Sequence, residues 1–94
     1  MKIAVLGAGG WGTTLAILLH YNGHNVTLWE YQKSYARELN KKRINIDYLP
    51  GIKIPKEIKI TSDLDESSND KNLIVFSFPS LFFSKVVKKI EYYS

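Results

Sequence analysis

Ninety-four residues allow at most one small domain, and 45% hydrophobic with 23% charged residues describe a globular chain rather than a disordered or fibrous one. The lack of cysteine excludes a disulfide framework, and the longest apolar runs, such as Leu15–Leu19 and Leu73–Phe76, fall far short of the roughly 18–20 residues that span a bilayer. The formal charge of +4 comes from scattered lysines, with small clusters at Lys41-Lys42-Arg43 and Lys88-Lys89; with no dense basic stripe carrying aromatic stacking groups, a solvated face is expected and a nucleic-acid surface is not.

Met1–Leu6 runs straight into glycines without a signal-type cleavage region, which makes the cytoplasm the expected compartment. Lys2–Leu6 itself reads as a short apolar strand. Trp11–Asn22 follows as a helix with Leu15, Ala16, Leu18 and Leu19 on its inner side, closed by Gly23 in a left-handed cap. Val26–Glu30 gives a second strand, and Tyr35, Ala36 and Leu39 stand at helical spacing between Gln32 and about Lys42.

From about Ile44 to Pro55 the breakers Pro50-Gly51 and Pro55 predict an irregular connection, ahead of an alternating strand at Ile58–Thr61. Asp63–Glu66 has the carboxylates of a helix start, cut short by Ser67–Asp70. Leu73–Phe76, apolar at every position, reads as a central parallel strand covered on both faces. Phe82, Phe83, Val86, Val87 and Ile90 then repeat with a helical period, opposite Lys85, Lys88 and Lys89.

Four strands alternating with helices predict α/β architecture: a parallel sheet with right-handed crossovers, the first half of a doubly wound (Rossmann) fold. Residues 1–94 therefore read as one truncated domain at the front of a larger protein. A half-finished sheet would leave an open strand edge, which could pair with a second copy.

Gly7, Gly9 and Gly12 fit G-x-G-x-x-G, where the first glycine makes the tight turn, the second lets backbone approach a pyrophosphate, and the third permits close helix–strand packing. The helix beginning near Gly10 would aim unpaired N–H groups and its positive dipole end at the phosphates. At average glycine usage, such a match arises by chance in roughly 3% of chains this long, so the glycines alone decide little. Their placement between an apolar strand and a helix, with Glu30 closing the next strand about 20 residues on, makes the signal specific.

Glu30 can accept hydrogen bonds from both hydroxyls of an adenosine ribose, and its charge would repel a 2′-phosphate, which favours NAD over NADP. A solvated glutamate at a strand end is the plainer reading, and nearby Lys33 and Arg37 could reach a 2′-phosphate if Glu30 turned away. His20 and His24 lack a second ligand or carboxylate at a suggestive spacing, so neither a metal site nor catalysis is expected of them. Ser77 and Ser80 have no nucleophile elbow and no base near in sequence.

Beyond the glycines, the chain closely resembles the NAD(P)-dependent glycerol-3-phosphate dehydrogenases, whose N-terminal domains carry a G-x-G-x-W-G-[ST] loop. The residues that carry the resemblance are Trp11 within the loop, Leu28-Trp29, the stretch Asn45-Ile46-Asp47-Tyr48-Leu49-Pro50-Gly51, Thr61–Leu64, and Phe78-Pro79-Ser80. The tryptophan and the N-x-x-Y-L-P stretch are the specific parts, since dinucleotide binding in general requires neither.

The resemblance implies reversible reduction of dihydroxyacetone phosphate to sn-glycerol 3-phosphate, with hydride from a nicotinamide cofactor. It places the backbone of Gly10 and Trp11 at the pyrophosphate, Tyr31 and Gln32 beside the adenosine, and Phe82 near the cofactor. Many bacterial members hold histidine or arginine where Tyr31 and Gln32 stand, and their absence again points to NAD. Trp29 is expected in the core; Tyr48 is divided between core packing and the cofactor's border. The family's catalytic lysine lies in a mainly helical C-terminal domain that also binds the substrate phosphate, so no catalytic residue is assigned among these 94. A regulatory nucleotide-binding module and a dehydrogenase of the ketopantoate or 6-phosphogluconate type are the alternatives, and the N-x-x-Y-L-P stretch argues against both.

Overall fold

In the computed structural model, residues 1–45 and 49–77 are described. The elements in chain order are β1 (Lys2–Leu6), α1 (Gly10–Tyr21), β2 (Asn25–Trp29), α2 (Lys33–Lys42), β3 (Ile44–Asn45), β4 (Leu49–Lys53), β5 (Lys59–Thr61), α3 (Leu64–Ser68) and β6 (Leu73–Phe76). The apolar helical pattern at Phe82–Ile90, the Phe78-Pro79-Ser80 exit and Tyr48 lie outside the described residues.

Four strands form a parallel sheet in the order β5-β2-β1-β6. Strands are added outward from β1 to β2 to β5, and the chain then crosses back to place β6 on the other side of β1. That reversal is the doubly wound pattern expected from the alternation of strands and helices. It creates a topological switch point at the carboxyl end of β1, where open α/β sheets hold their ligands.

Successive residues of a strand face opposite sides of the sheet, and the core divides accordingly. Ile3, Val5, Val26 and Leu28 join Ala16 of α1 and Ala36 and Leu39 of α2 on one face. Ala4, Leu6 and Trp29 meet Leu64 of α3 on the other, so Trp29 is a core residue, as expected. The burial of Ala36 and Leu39 beside a half-buried Tyr35 likewise follows the helical spacing read in the sequence.

The structure corrects the sequence reading in two places. The inner stripe of α1 is Gly12, Thr13 and Ala16, with Leu19 half-buried against the same core as expected, while Leu18 is exposed. Small residues bring the helix axis close to the sheet, and Leu18, two positions beyond Ala16, then points away from it. The connection expected to be irregular contains an antiparallel pair, β3 with β4, whose register shifts between Ile44 and Asn45. Pro50 and Gly51 (φ 82°) are accommodated in β4 because this ladder is short and bulged. Among the described residues, β6 pairs with β1, and Leu73 is 44% and Phe76 37% exposed.

Several polar details fix the lower ends of the helices. Gly23 (φ 89°) closes α1 through its N–H to the His20 carbonyl at 3.0 Å, and the His24 N–H reaches Leu19 at 3.2 Å, the paired pattern of a left-handed helix cap. His24 Nδ1 lies 3.1 Å from the Met1 amine and His20 Nε2 4.0 Å from Glu57, both helix-end roles. At the end of α2, Arg43 (φ 56°) donates to the carbonyls of Pro55 at 2.6 Å and Ile58 at 2.5 Å, tying the helix to the approach of β5. Partial burial lowers its pKa, opposed by the nearby Glu57 carboxylate; an arginine remains charged all the same.

Candidate dinucleotide-binding site

The carboxyl ends of all four parallel strands are level. Gly7 N–H donates to Trp29 at 2.8 Å, Glu30 N–H to Thr61 at 2.9 Å and Ser77 N–H to Leu6 at 2.8 Å. These bonds extend the ladder by one residue on β1, β2 and β6 and set the glycine loop, Glu30 and Ser77 along one edge of the sheet. The sequence-predicted residues Gly7, Gly9, Gly10, Trp11, Gly12, Glu30, Tyr31 and Gln32 are thus gathered on two adjacent strand exits and the helix starts that follow them. Phe82 lies outside the described residues.

Each motif glycine has a distinct environment. Gly7 has φ 118°, a backbone state that a side chain would strain. Gly12 has no space at all: a Cβ there would fall 3.0 Å from the Gly7 carbonyl carbon, and closer still to its oxygen and to Ser77 Oγ. Gly9, the N-cap of α1, is the opposite case, since a Cβ there would meet nothing within 4 Å. The open side of the loop is therefore at the second glycine, where the motif requires backbone to face a ligand.

Gly10, Trp11 and Gly12 form the first turn of α1, whose N–H groups lack intrahelical acceptors, the ladder starting with Thr13 N–H to the Gly9 carbonyl at 2.9 Å. The turn has no acidic residue, and no side chain caps it. An anion approaching Gly9 would meet free donors and the positive end of the helix dipole, with no carboxylate in that turn competing for them. Trp11 is 67% exposed on the same turn, so its indole is available to lie against a bound molecule.

Glu30 is half-buried directly after β2, and its Oε2 accepts the Gln32 N–H at 2.9 Å. This local bond holds the carboxylate at the strand end, and a carboxylate retains further acceptor positions when one is used. Tyr31 is 60% exposed and packs edge-on to Trp29 with ring centroids 6.2 Å apart. Lys33 and Arg37 are exposed on α2. Among the described residues, no cluster of three or more histidine or carboxylate side chains could hold a metal ion, and no helix is long and apolar enough to cross a membrane.

Three polar side chains behind the loop were not foreseen as site residues. Ser77 Oγ donates to the Gly7 carbonyl at 2.9 Å. Thr13 Oγ1 and Asn45 Nδ2 both reach the Ala8 carbonyl, at 3.3 and 2.7 Å. Their signal in the sequence is slight: a serine just after an apolar strand, a threonine on a helix, and the first residue of the N-x-x-Y-L-P stretch.

Residues 2–94 match the family described as the NAD-dependent glycerol-3-phosphate dehydrogenase N-terminus. The chain is 45% identical over 91 residues to a glycerol-3-phosphate dehydrogenase [NAD(P)+] of Fusobacterium nucleatum, a match covering 97% of this chain and 27% of that protein. The crystal structure of glycerol-3-phosphate dehydrogenase from Coxiella burnetii superposes with a TM-score of 0.89 at 36% identity, over 96% of this chain and 28% of that one. A 2-dehydropantoate 2-reductase structure from Enterococcus faecalis, at 24% identity and a TM-score of 0.70 over 97% of this chain and 29% of that one, shares the fold alone. The chain spans about a quarter of the length of the curated relatives it matches. With its glycine loop, parallel sheet and near-complete coverage by the family pattern, this chain belongs to the NAD-dependent glycerol-3-phosphate dehydrogenase family, in its N-terminal dinucleotide-binding part.

Proposed function

We propose that these residues are the cofactor-binding part of an sn-glycerol-3-phosphate dehydrogenase that uses NAD in preference to NADP and interconverts dihydroxyacetone phosphate and glycerol 3-phosphate in the cytoplasm. The observation that carries the reading is the open face of Gly9 at an uncapped helix start with no acidic residue in its first turn. In this reading the backbone of Gly9, Gly10 and Trp11 holds the pyrophosphate, Glu30 takes the adenosine ribose hydroxyls, and Tyr31, Gln32 and Phe82 border the adenosine and the rest of the cofactor. The bound nicotinamide supplies or accepts the hydride.

Reduction of a ketone leaves negative charge on oxygen, which calls for a proton donor or cation. That group, and the site for the substrate phosphate, are assigned to a helical C-terminal domain beyond these residues. The chain's own task is to bind and orient the dinucleotide at the carboxyl edge of the sheet. Titration of the 94-residue chain with NADH and NADPH, followed by tryptophan emission, tests this: saturable binding with NADH the tighter ligand is expected. Absence of binding to either would overturn the assignment. Turnover of dihydroxyacetone phosphate by this chain alone would overturn the placing of catalysis in a second domain.

A further inference from the structure

Asn45 is fully buried, yet it is an amide in a place where an aliphatic side chain would cost nothing to desolvate. Every polar group it carries is engaged. Its Nδ2 donates to the Ala8 carbonyl at 2.7 Å and to Thr13 Oγ1 at 2.8 Å, and its Oδ1 accepts the Tyr35 hydroxyl. The orientation of the amide follows from its partners: the Ala8 carbonyl only accepts, so the NH2 end must face it. Thr13 Oγ1 in turn donates to the same carbonyl at 3.3 Å.

The peptide group between Ala8 and Gly9 is planar and trans, with its carbonyl and N–H pointing in opposite directions. Holding the Ala8 carbonyl toward the core thus turns the Gly9 N–H outward, at the one glycine of the motif with an open side. Ser77 does the same for the preceding peptide, by donating to the Gly7 carbonyl at 2.9 Å. The loop's donors are in this way aimed before any ligand arrives, which reduces the ordering cost of binding.

We propose that Asn45 is a positioning residue for the pyrophosphate: its side-chain amide fixes the Ala8–Gly9 peptide so that the Gly9 N–H faces the ligand, and Tyr35 on α2 fixes Asn45. The inference rests on the dinucleotide reading of the site given above. It separates two roles within one bound molecule, because adenosine lies toward Glu30 while only the phosphates depend on the loop.

The test compares ADP with adenosine as probes of the full 94-residue chain, by calorimetry or by amide shifts in 15N spectra. Asn45→Leu keeps the branched outline of the side chain and removes the amide. It is expected to weaken ADP by about tenfold, the size of one or two lost hydrogen bonds, to leave adenosine unchanged, and to diminish the shift of the Gly9 amide on adding ADP. Equal weakening of ADP and adenosine, or no change in either, overturns the proposal. Should Asn45→Leu fail to fold, Tyr35→Phe takes its place, with the ratio of ADP to adenosine affinity expected to fall about threefold; an unmoved ratio overturns the proposal there too. Failure of the wild-type chain to bind NADH or ADP overturns the reading of the site and this inference with it, whereas intact wild-type binding with an unmoved ratio overturns the inference alone.

Discussion

Gly12 faces Gly7 across the strand-to-helix turn with no room for a side chain between them: an added Cβ would lie 3.0 Å from the Gly7 carbonyl carbon and nearer still to its oxygen. The obstacle is backbone, which cannot swing aside as the end of a flexible side chain can. Gly12→Ala is therefore expected to push α1 away from β1 and to destabilise the chain by roughly 1–3 kcal/mol, in the range of overpacked cores. A urea unfolding curve checks it, and an unchanged midpoint would show that the turn yields more easily than its geometry implies.

Gly9 gives the contrasting case. With φ −71° and open space around it, the position accepts alanine without backbone strain. Gly9→Ala is expected to cost under about 1 kcal/mol of stability, the difference between glycine and alanine at a helix N-cap. A methyl on the ligand side should still weaken NADH by roughly tenfold or more, equivalent to at least about 1.4 kcal/mol. Paired melting and NADH titration would separate the two glycines. Loss of stability without loss of binding in Gly9→Ala would contradict the assignment of this face to the ligand.

Lys2 and Asp70 join the start of β1 to the turn before β6, with Nζ 3.0 Å from Oδ2. The hydrogen bond from Lys2, with its charge, holds the Asp70 carboxyl below its ordinary value. A carboxyl whose folded pKa is depressed adds stability above its unfolded pKa of about 3.9, and that contribution is lost as pH falls through the depressed folded value. Both groups are exposed, so the effect is small and screened by salt. An NMR titration of the Asp70 carboxyl should give a midpoint that rises toward the ordinary value in Lys2→Met. A midpoint unmoved by that substitution would show that the pair does not form in solution.

The alternation of strands and helices and the parallel, doubly wound class are legible because hydrophobic periodicity, glycine placement and crossover handedness all act locally or through few topological choices. Trp29 was placed in the core for the same reason. Leu18 was misplaced because apolarity alone does not say which side of a helix faces the sheet; the tight packing of Gly12, Thr13 and Ala16 decides that. The β3–β4 pair was hidden by Pro50 and Gly51, whose breaking tendency is overridden in a short bulged ladder. Asn45 stayed illegible as a support of the loop because its partners, Ala8 and Thr13, are 37 and 32 residues away. Glycine spacing announces a phosphate cradle, but the side chains that aim it are known only once the chain has folded.

Glu30 bears on the choice between the two nicotinamide cofactors. Its backbone is fixed by the bond from its N–H to Thr61, and its carboxylate by the Gln32 amide, so the charge is held at the end of β2 rather than free in solvent. A carboxylate held there accepts hydroxyl donors and repels a phosphate on the same ribose. Glu30→Gln keeps the size and an acceptor oxygen for Gln32 but removes the charge. NADH affinity is expected to fall about tenfold, consistent with loss of hydrogen bonds to a charged acceptor. NADPH should bind as before or better, since the repulsion is gone and Lys33 and Arg37 are exposed on the neighbouring helix. Competitive titrations of both cofactors against the wild-type chain and the variant decide the matter: equal losses for the two would remove Glu30 from the ribose site.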